Sequence, residues 1–531
     1  MKTVFYGGKV YTGQLPLQEA FAIEDGRFLF AGSNAEAMAL EADRWIDLRG
    51  AFVCAGFNDS HMHLLNFGQA LTAAPLHLHT ASLEGMLACL KAAIPGRGGW
   101  ILGRGWNQDA FCDENRMPNR YDLDKVSLVH PVCAVRACGH ALAVNSKALE
   151  LLGITADTPQ VDGGLIQLEN GQPNGLFFDN AMDLVLSRIS VPGKEDIKQM
   201  ILAACKALNV YGITSCHSDD YCVFQQLPWQ MVNEAFRELE DSGELSVRVY
   251  EQANFTQLDH LTGFVQAGNR TGTGSAMFRM GPLKLLGDGA LGARTAYLSR
   301  PYGDDPTTSG LSVFTAEEFD RLIGYAHSHG MQVAVHCIGD ACLDLVLSSL
   351  RKAMDAQPRA NHRHGIVHCQ ITRQEQLDTI ASMELHVYAQ SIFLDYDIHI
   401  VHARAGDELA ESSYRWKTLL KKGATLSNGS DCPVELPDVM AGIQCAVTRR
   451  DLKGFGPYHE DEAFTVQEAL DSFTQSGAFA SFEEWEKGRI QPGMLADFVV
   501  LGRDPFTVSP GSLKDIPVLQ TWLGGKQVYS K

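Results

Sequence analysis

From about residue 200 onward the chain repeats one pattern. A short apolar, β-branched run is followed by roughly ten to fifteen residues whose apolar positions recur at helical spacing. Alternation of that kind predicts βαβ units and a parallel sheet. Candidate strands lie at 51–57, 212–216, 246–251, 282–286, 332–336, 365–368, 386–390 and 424–427. Eight is the number that closes a barrel, so the predicted fold is α/β, a (β/α)8 TIM barrel.

Helical stretches fall between these runs. One spans 316–329, opened by Thr315 as N-cap with Glu318 three residues later, and stopped at Gly330. The interval from about 70 to 195 is too long for a βα loop and carries its own strand-like run at 131–137. It also carries the turn sequences Asp162-Gly-Gly164 and Glu169-Asn-Gly-Gln172. It reads as an inserted subdomain over the barrel mouth. Short alternating strands flank Glu24-Asp-Gly-Arg27 near the start and Ala496-Asp-Phe-Val-Val500 near the end, which predicts a small β-sandwich built from both termini. The expected domains are therefore 1–52 with 486–531 as the sandwich and 53–485 as the barrel. No repeat or low-complexity segment interrupts them.

Composition narrows the function classes. Over 531 residues, 45% are hydrophobic and 20% charged, the balance of a chain with a substantial core. The formal net charge of −19 argues against nucleic acid or an anionic membrane surface as partner. No apolar run reaches the roughly 18 residues of a membrane span, and the first residues lack the apolar core of a signal peptide, so a cytoplasmic location is expected. The 13 cysteines are odd in number, scattered, and form no Cys-x-x-Cys pair, as expected of reduced, buried thiols. Homodimerisation is compatible with the chain, and nothing in the sequence specifies it.

Chemistry enters with Asp59-Ser-His61-Met-His63, which follows the apolar run at 52–57. Residues i and i+2 of a strand point to one side, so both imidazoles can reach one ion, and neutral imidazole suits Zn²⁺ and similar metals. Alone, His-x-His is as compatible with an ordinary pair. His336 closes the run at 332–336, His368 closes 365–368, and Asp431 follows 424–427. The carboxyl ends of barrel strands converge on one mouth, which turns these separate residues into neighbours: four nitrogens and one carboxylate. His77, His79, His327, His329 and His402 lie in helical or loop contexts and read as ordinary histidines. Lys284, inside Gly281-Pro-Leu-Lys-Leu-Leu286, is either an inward lysine whose burial costs its cation, or an outer one whose stem lies between helices.

Several longer stretches carry a resemblance: Gly56-Phe-Asn-Asp-Ser-His-Met-His63, Gly103-Arg-Gly-Trp-Asn-Gln108, Gly139-His-Ala-Leu-Ala-Val-Asn-Ser-Lys-Ala-Leu149 and Lys284-Leu-Leu-Gly-Asp-Gly-Ala-Leu-Gly-Ala-Arg-Thr-Ala296. To these add His336-Cys-Ile-Gly-Asp340, Gly429-Ser-Asp-Cys-Pro-Val434 and Gly493-Met-Leu-Ala-Asp-Phe498. Over nearly its whole length the chain resembles the amidohydrolase superfamily, in the branch of YtcJ-like hydrolases and N-substituted formamide deformylases (amidohydrolase family 3). The resemblance implies a distorted barrel. It implies His61 and His63 on one metal and His336 and His368 on a second, with Lys284, carboxylated by carbon dioxide, bridging them. Asp431 would be both ligand and general base for a metal-activated hydroxide that cleaves a carbon–nitrogen bond of an amide or N-substituted formamide. Zn²⁺ is the expected ion, one or two per chain, with Mn²⁺ or Fe²⁺ as alternatives.

Trp106, His140, Asp288 and Arg294 match family positions near the pocket and are the expected substrate contacts. Trp106 could equally be core filler and Arg294 an ion-pair partner. The sequence departs from the family pattern at Gly365 and Val367, where Arg and Glu are usual, and at Ala290 and Ala293 in place of Ser. Metal ligands survive these changes while neighbouring polar groups are lost, which bears on substrate more than on metal. Two other readings stay open: a mononuclear deaminase on the same barrel, which would not need Lys284, and a silent ligand-binding barrel, which would not need Asp431.

Overall fold

Gly56 divides the first apolar run in two. Phe52–Ala55 joins a sheet with the chain termini, and Phe57–Met62 enters the barrel, so the predicted strand at 51–57 is corrected to two strands in different sheets. A computed structural model describes the chain except residues 77–80, 94, 109–110, 115, 137–140, 162, 190 and 225–226, with Arg97 described by its backbone alone.

Eight parallel strands form the central sheet: β1 (Phe57–Met62), β2 (Ile213–Ser218), β3 (Arg248–Asn254), β4 (Phe278–Leu286), β5 (Val333–Cys337), β6 (Gly365–His368), β7 (His386–Ala389) and β8 (Thr425–Asn428). Sheet order follows chain order, each strand pairing in parallel with the next along the chain. The strands are almost wholly buried, which fits a sheet covered by helices outside and packed side chains inside. Helix Ala316–Ser328 begins with the predicted capping box, Thr315 and Glu318 each bonding the other's backbone N–H. Gly330 follows it with φ +80°, a conformation few side chains tolerate.

The seam between β8 and β1 is joined just past the strands. Asp431 N–H donates to His61 O at 2.8 Å and His63 N–H to Cys432 O at 2.8 Å. Gly429 makes that approach possible, because a Cβ there would lie 2.6 Å from the His61 nitrogen. The seam therefore locks the first His pair against Asp431 through the backbone.

Both ends of the chain build two further sheets. One has the order Arg27–Gly32, Ala20–Glu24, Lys2–Tyr6, Arg44–Asp47; the other has Lys9–Val10, Phe52–Ala55, Phe498–Leu501, Val518–Leu523, Lys526–Ser530. Between them Phe5 of the first meets Phe498 of the second edge-on at 5.2 Å and Trp522 at 5.3 Å. Asp497, ahead of Phe498–Leu501, forms a buried bidentate pair with Arg248 of β3 (2.7 and 3.0 Å), tying this sandwich to the barrel.

By packing, the chain divides into two compact units: Met1–Leu64, Cys205–Val223 and Phe236–Lys531 form the first, Leu65–Ala204 and Phe224–Ala235 the second. The second has its own six-stranded sheet, ordered Gly164–Glu169, Gln172–Asp179, Ala141–Val144, Val132–Arg136, Ile101–Trp106, Ala74–Pro75, and two apolar cores. No helix among the described residues is long and apolar enough to cross a membrane. The described cysteines are free thiols, most of them buried.

Candidate metal centre

At the carboxyl ends of the barrel strands, β1 delivers His61 and, one residue past its end, His63; β5 and β6 deliver His336 and His368; Asp431 comes from the loop after β8. His61, His63 and Asp431 offer ligand atoms all within 4.8 Å of one another. Asp431 Oδ1 lies 3.3 Å from His61 Nε2 and 2.9 Å from His63 Nε2. His336 and His368 form a separate pair, His368 Nε2 facing His336 Nδ1 at 2.9 Å. The five residues expected as ligands stand at this end of the barrel, with the rings of His61 and His368 5.5 Å apart.

The opposite nitrogen of each imidazole is held by an acceptor. His61 Nδ1 faces Gln252 Oε1 at 3.0 Å, His368 Nδ1 faces Gln390 Oε1 at 2.7 Å, and His336 Nε2 faces the Gly289 carbonyl at 3.1 Å. His63 Nδ1 pairs with Asp219 Oδ1. Gln390 is oriented by its own Nε2–H donating to Tyr388 O at 2.9 Å. For His61, His336 and His368, which stay neutral, the outer nitrogen therefore carries the proton and the inner one presents a lone pair. Lone pairs of His336 and His368 then point at each other, and that of His61 points at the Asp431 carboxylate. Such an arrangement repels itself unless a cation lies between, and a nitrogen-rich set with one carboxylate suits Zn²⁺ or a similar ion. The residues present fit the metal.

Electrostatics point the same way. Burial, reinforced by Lys284, pushes His61 down and His336 down to about 3; burial with the facing His336 holds His368 well below its ordinary value. These three imidazoles are neutral. For His63, burial is outweighed by Asp219 and Asp431, which lift it to about 10. Asp431 is held well below the usual range because bonds from His61 and His63 overcome its burial. Asp431 and His368 also sit at φ +59° and +71°, a backbone conformation that costs energy in non-glycine residues and collects at functional sites.

Lys284 points inward: its side chain is fully buried, with Nζ 3.4 Å from Asp219 Oδ2. Of the two places the sequence allowed, the structure selects the interior one. Asp288 is buried and receives three backbone N–H donors, from Ile338 (3.0 Å), Gly339 (2.7 Å) and Tyr297 (2.9 Å). That clamps the loops after β4 and β5 through both oxygens, with His336 Nε2 a further 3.4 Å from Oδ1. Arg294 forks onto Asp304 at 3.0 and 2.9 Å, the ion-pair alternative. Trp106 is fully buried in the second unit's core, its Nε1–H donating to Ala134 O at 2.9 Å, which is the core alternative. His140 lies outside the described residues, as do His77 and His79.

Gly365 and Val367 are explained by packing. A Cβ at Gly365 would meet the Tyr388 ring at 2.5 Å, and Val367 packs with Ala334, Tyr388 and Ala480. Here an apolar contact fills the space. Asp219, Gln252 and Gln390 were missed in the sequence. Asp219 had a legible signal, since it immediately follows β2 at the converging end of the barrel.

Comparison with known proteins places this geometry in context. The Amidohydrolase family model matches residues 44–529. YtcJ of Bacillus subtilis (strain 168) is 34% identical over 552 aligned residues, covering 100% of both chains. The N-substituted formamide deformylase of Arthrobacter pascens is 25% identical, covering 97% of this chain and 95% of its own. Among solved structures, an uncharacterized metal-dependent hydrolase from Pyrococcus furiosus is 30% identical with a TM-score of 0.80, covering 96% of this chain and 100% of its own.

Proposed function

The chain belongs to the amidohydrolase family and is a metal-dependent hydrolase, and on that premise we propose that it cleaves the carbon–nitrogen bond of a linear amide, with Asp431 moving the proton. One observation carries the reading. Four imidazoles are held by outer acceptors so that their inner nitrogens, with Asp431, converge at one end of the barrel. His61, His63 and Asp431 would hold one divalent ion, His336 and His368 a second, and Lys284, carboxylated by carbon dioxide, would bridge them. Zn²⁺ is the proposed ion. Ions held there supply Lewis acidity, acidifying a water and polarising the scissile carbonyl.

This chain's residues do the rest. Asp431 Oδ1 faces both imidazoles, so proton transfer is assigned to Oδ2, which takes the proton of the attacking water and returns it to the departing nitrogen. Its low proton affinity keeps it an acceptor at neutral pH. Bonds from Ser430 orient Asp59, whose Oδ1 accepts the Ser430 N–H at 3.0 Å, which steadies the loop carrying Asp431. The A. pascens relative is named for N-substituted formamides, and that class is the first proposed substrate. A reducing, cytoplasmic setting suits the free thiols.

The test is elemental analysis of purified protein, followed by turnover of N-formyl, N-acetyl and cyclic amides after loading with Zn²⁺, Mn²⁺ or Fe²⁺. Metal in the protein with amine release from one of these classes is expected. No metal bound, and no turnover restored by any of the three ions, sinks the proposal. Among the described residues one three-ligand group, around Asp431, comes within reach of a single ion, which favours a second reading, a mononuclear enzyme. One ion per chain, with undiminished turnover in Lys284→Ala, would select it.

A further inference from the structure

Asp219 stands directly after β2, at the barrel end that carries the ligand set, and its side chain is fully buried. Its two oxygens are divided between two members of that set. Oδ1 pairs with His63 Nδ1, and Oδ2 lies 3.4 Å from Lys284 Nζ. Among the described residues no other side chain bonds that Nζ. The three residues belong to the β1, β2 and β4 ends of the barrel, 156 and 65 positions apart in the chain, so only the strand order assembles them.

We infer that Asp219 is a positioning residue of the metal centre, one carboxylate that orients both His63 and Lys284 toward the ions. The inference rests on the metal-centre reading above. With Nδ1–H committed to Asp219, His63 has one ring orientation, its Nε2 turned inward beside Asp431. A carboxylate behind a ligating imidazole also raises the basicity of the inner nitrogen. Lys284 needs the same anchor for a different reason. Fully buried, its Nζ must satisfy its N–H groups or bear the cost of leaving them bare. Carboxylation of the neutral amine joins Nζ to the carbon of carbon dioxide, releases one proton and leaves one N–H on the nitrogen. That remaining N–H is the donor for Asp219 Oδ2, so the anchor serves the lysine before and after carboxylation and aims the new carboxylate away from β2. A neutral acceptor such as the Gln252 or Gln390 amide, each serving one imidazole, could not serve two donors from two oxygens.

The experiment measures Zn²⁺ affinity by chelator competition, and zinc per chain by elemental analysis, in full-length wild type, Asp219→Asn and Asp219→Ala. Melting temperature and circular dichroism of the metal-free proteins are measured alongside. Asn keeps the volume but sets its NH₂ against an N–H of either His63 or Lys284. Both variants are expected to bind Zn²⁺ roughly 10–100-fold more weakly while the metal-free melting temperature of Asp219→Asn stays at the wild-type value. Wild-type affinity in Asp219→Asn overturns the inference. So does a loss of affinity matched by loss of the metal-free fold in that variant, since this would make Asp219 merely structural. Should Asp219→Ala fail to fold, the isosteric Asn variant decides. A wild type that binds no metal at all overturns the metal-centre reading and the inference together, whereas metal-loaded wild type with unaffected variants overturns the inference alone.

Discussion

One carboxylate oxygen shared by two imidazole nitrogens, as at Asp431, His61 and His63, makes the role of each atom separable by substitution. Asp431→Asn keeps an oxygen for the ion and removes the proton acceptor. It is expected to lower kcat by about 10²–10⁴-fold, in line with loss of a general base, with zinc content retained. Elemental analysis beside a kinetic assay checks both halves. A second residue-scale prediction concerns the buried Asp397, which accepts bonds from Tyr414 OH (2.8 Å) and Gln370 Nε2 (3.0 Å). Burial raises its pKa from 3.8 to about 6, with those bonds opposing. A carboxyl whose folded pKa is raised contributes stability below its unfolded pKa and loses it as pH climbs through the folded value. The contribution is therefore lost between about pH 4 and pH 6. Asp397→Asn, which cannot ionise, should gain on wild type across that window by at most about 3 kcal/mol, then run parallel to it. Melting temperatures of both proteins from about pH 4.5 to about pH 7.5 would show a constant difference if Asp397 does not titrate this way.

At the scale of elements, the seam between β8 and β1 and the junction of barrel with sandwich are the two places where one change should spread. Gly429→Ala places a Cβ 2.6 Å from the His61 nitrogen and 2.7 Å from Asp59 Oδ1. Backbone must move, at a cost of about 1–3 kcal/mol, and the backbone that moves carries His61 and Asp431. Lower melting temperature with reduced zinc per chain is the expected pair of results. At the junction, Asp497→Ala leaves the Arg248 guanidinium buried without its bidentate partner, which should cost about 3–5 kcal/mol. Adding Arg248→Met should recover much of that loss in thermal unfolding, because the expensive state is the unpaired charge. Both devices show why strands that look interchangeable in sequence differ: β3 and β8 are tied to particular neighbours by single residues.

For the whole molecule, a metal that binds the folded chain and not the unfolded one stabilises it by mass action. Free Zn²⁺ at about 100 times its Kd adds roughly 2.7 kcal/mol. Chelation should lower the melting temperature, and zinc should restore it in a concentration-dependent way. The loss should steepen as pH falls, where protons compete with the ion for the imidazoles, His63 first because Asp219 and Asp431 raise its proton affinity. A melting temperature indifferent to chelator would contradict a cation bridging opposed lone pairs.

What the sequence determined by itself was local or periodic. Strand-forming runs are set by side chains within a few residues, so seven of the eight barrel strands lie within a few residues of where the pattern puts them. The eighth differs because Gly56 redirects the chain inside a continuous apolar run. The candidate ligands were legible too, because strand ends converge in any such barrel and His61, His63, His336, His368 and Asp431 stand there. Only the tertiary structure decided which nitrogen of each histidine faces inward, that Lys284 is buried, and that Asp288 and Arg294 are spent on Gly339, Tyr297 and Asp304. It alone joined Asp219 to both His63 and Lys284. Those outcomes depend on contacts across 9 to 191 residues of chain, set by strand order and register, and no window of sequence contains them.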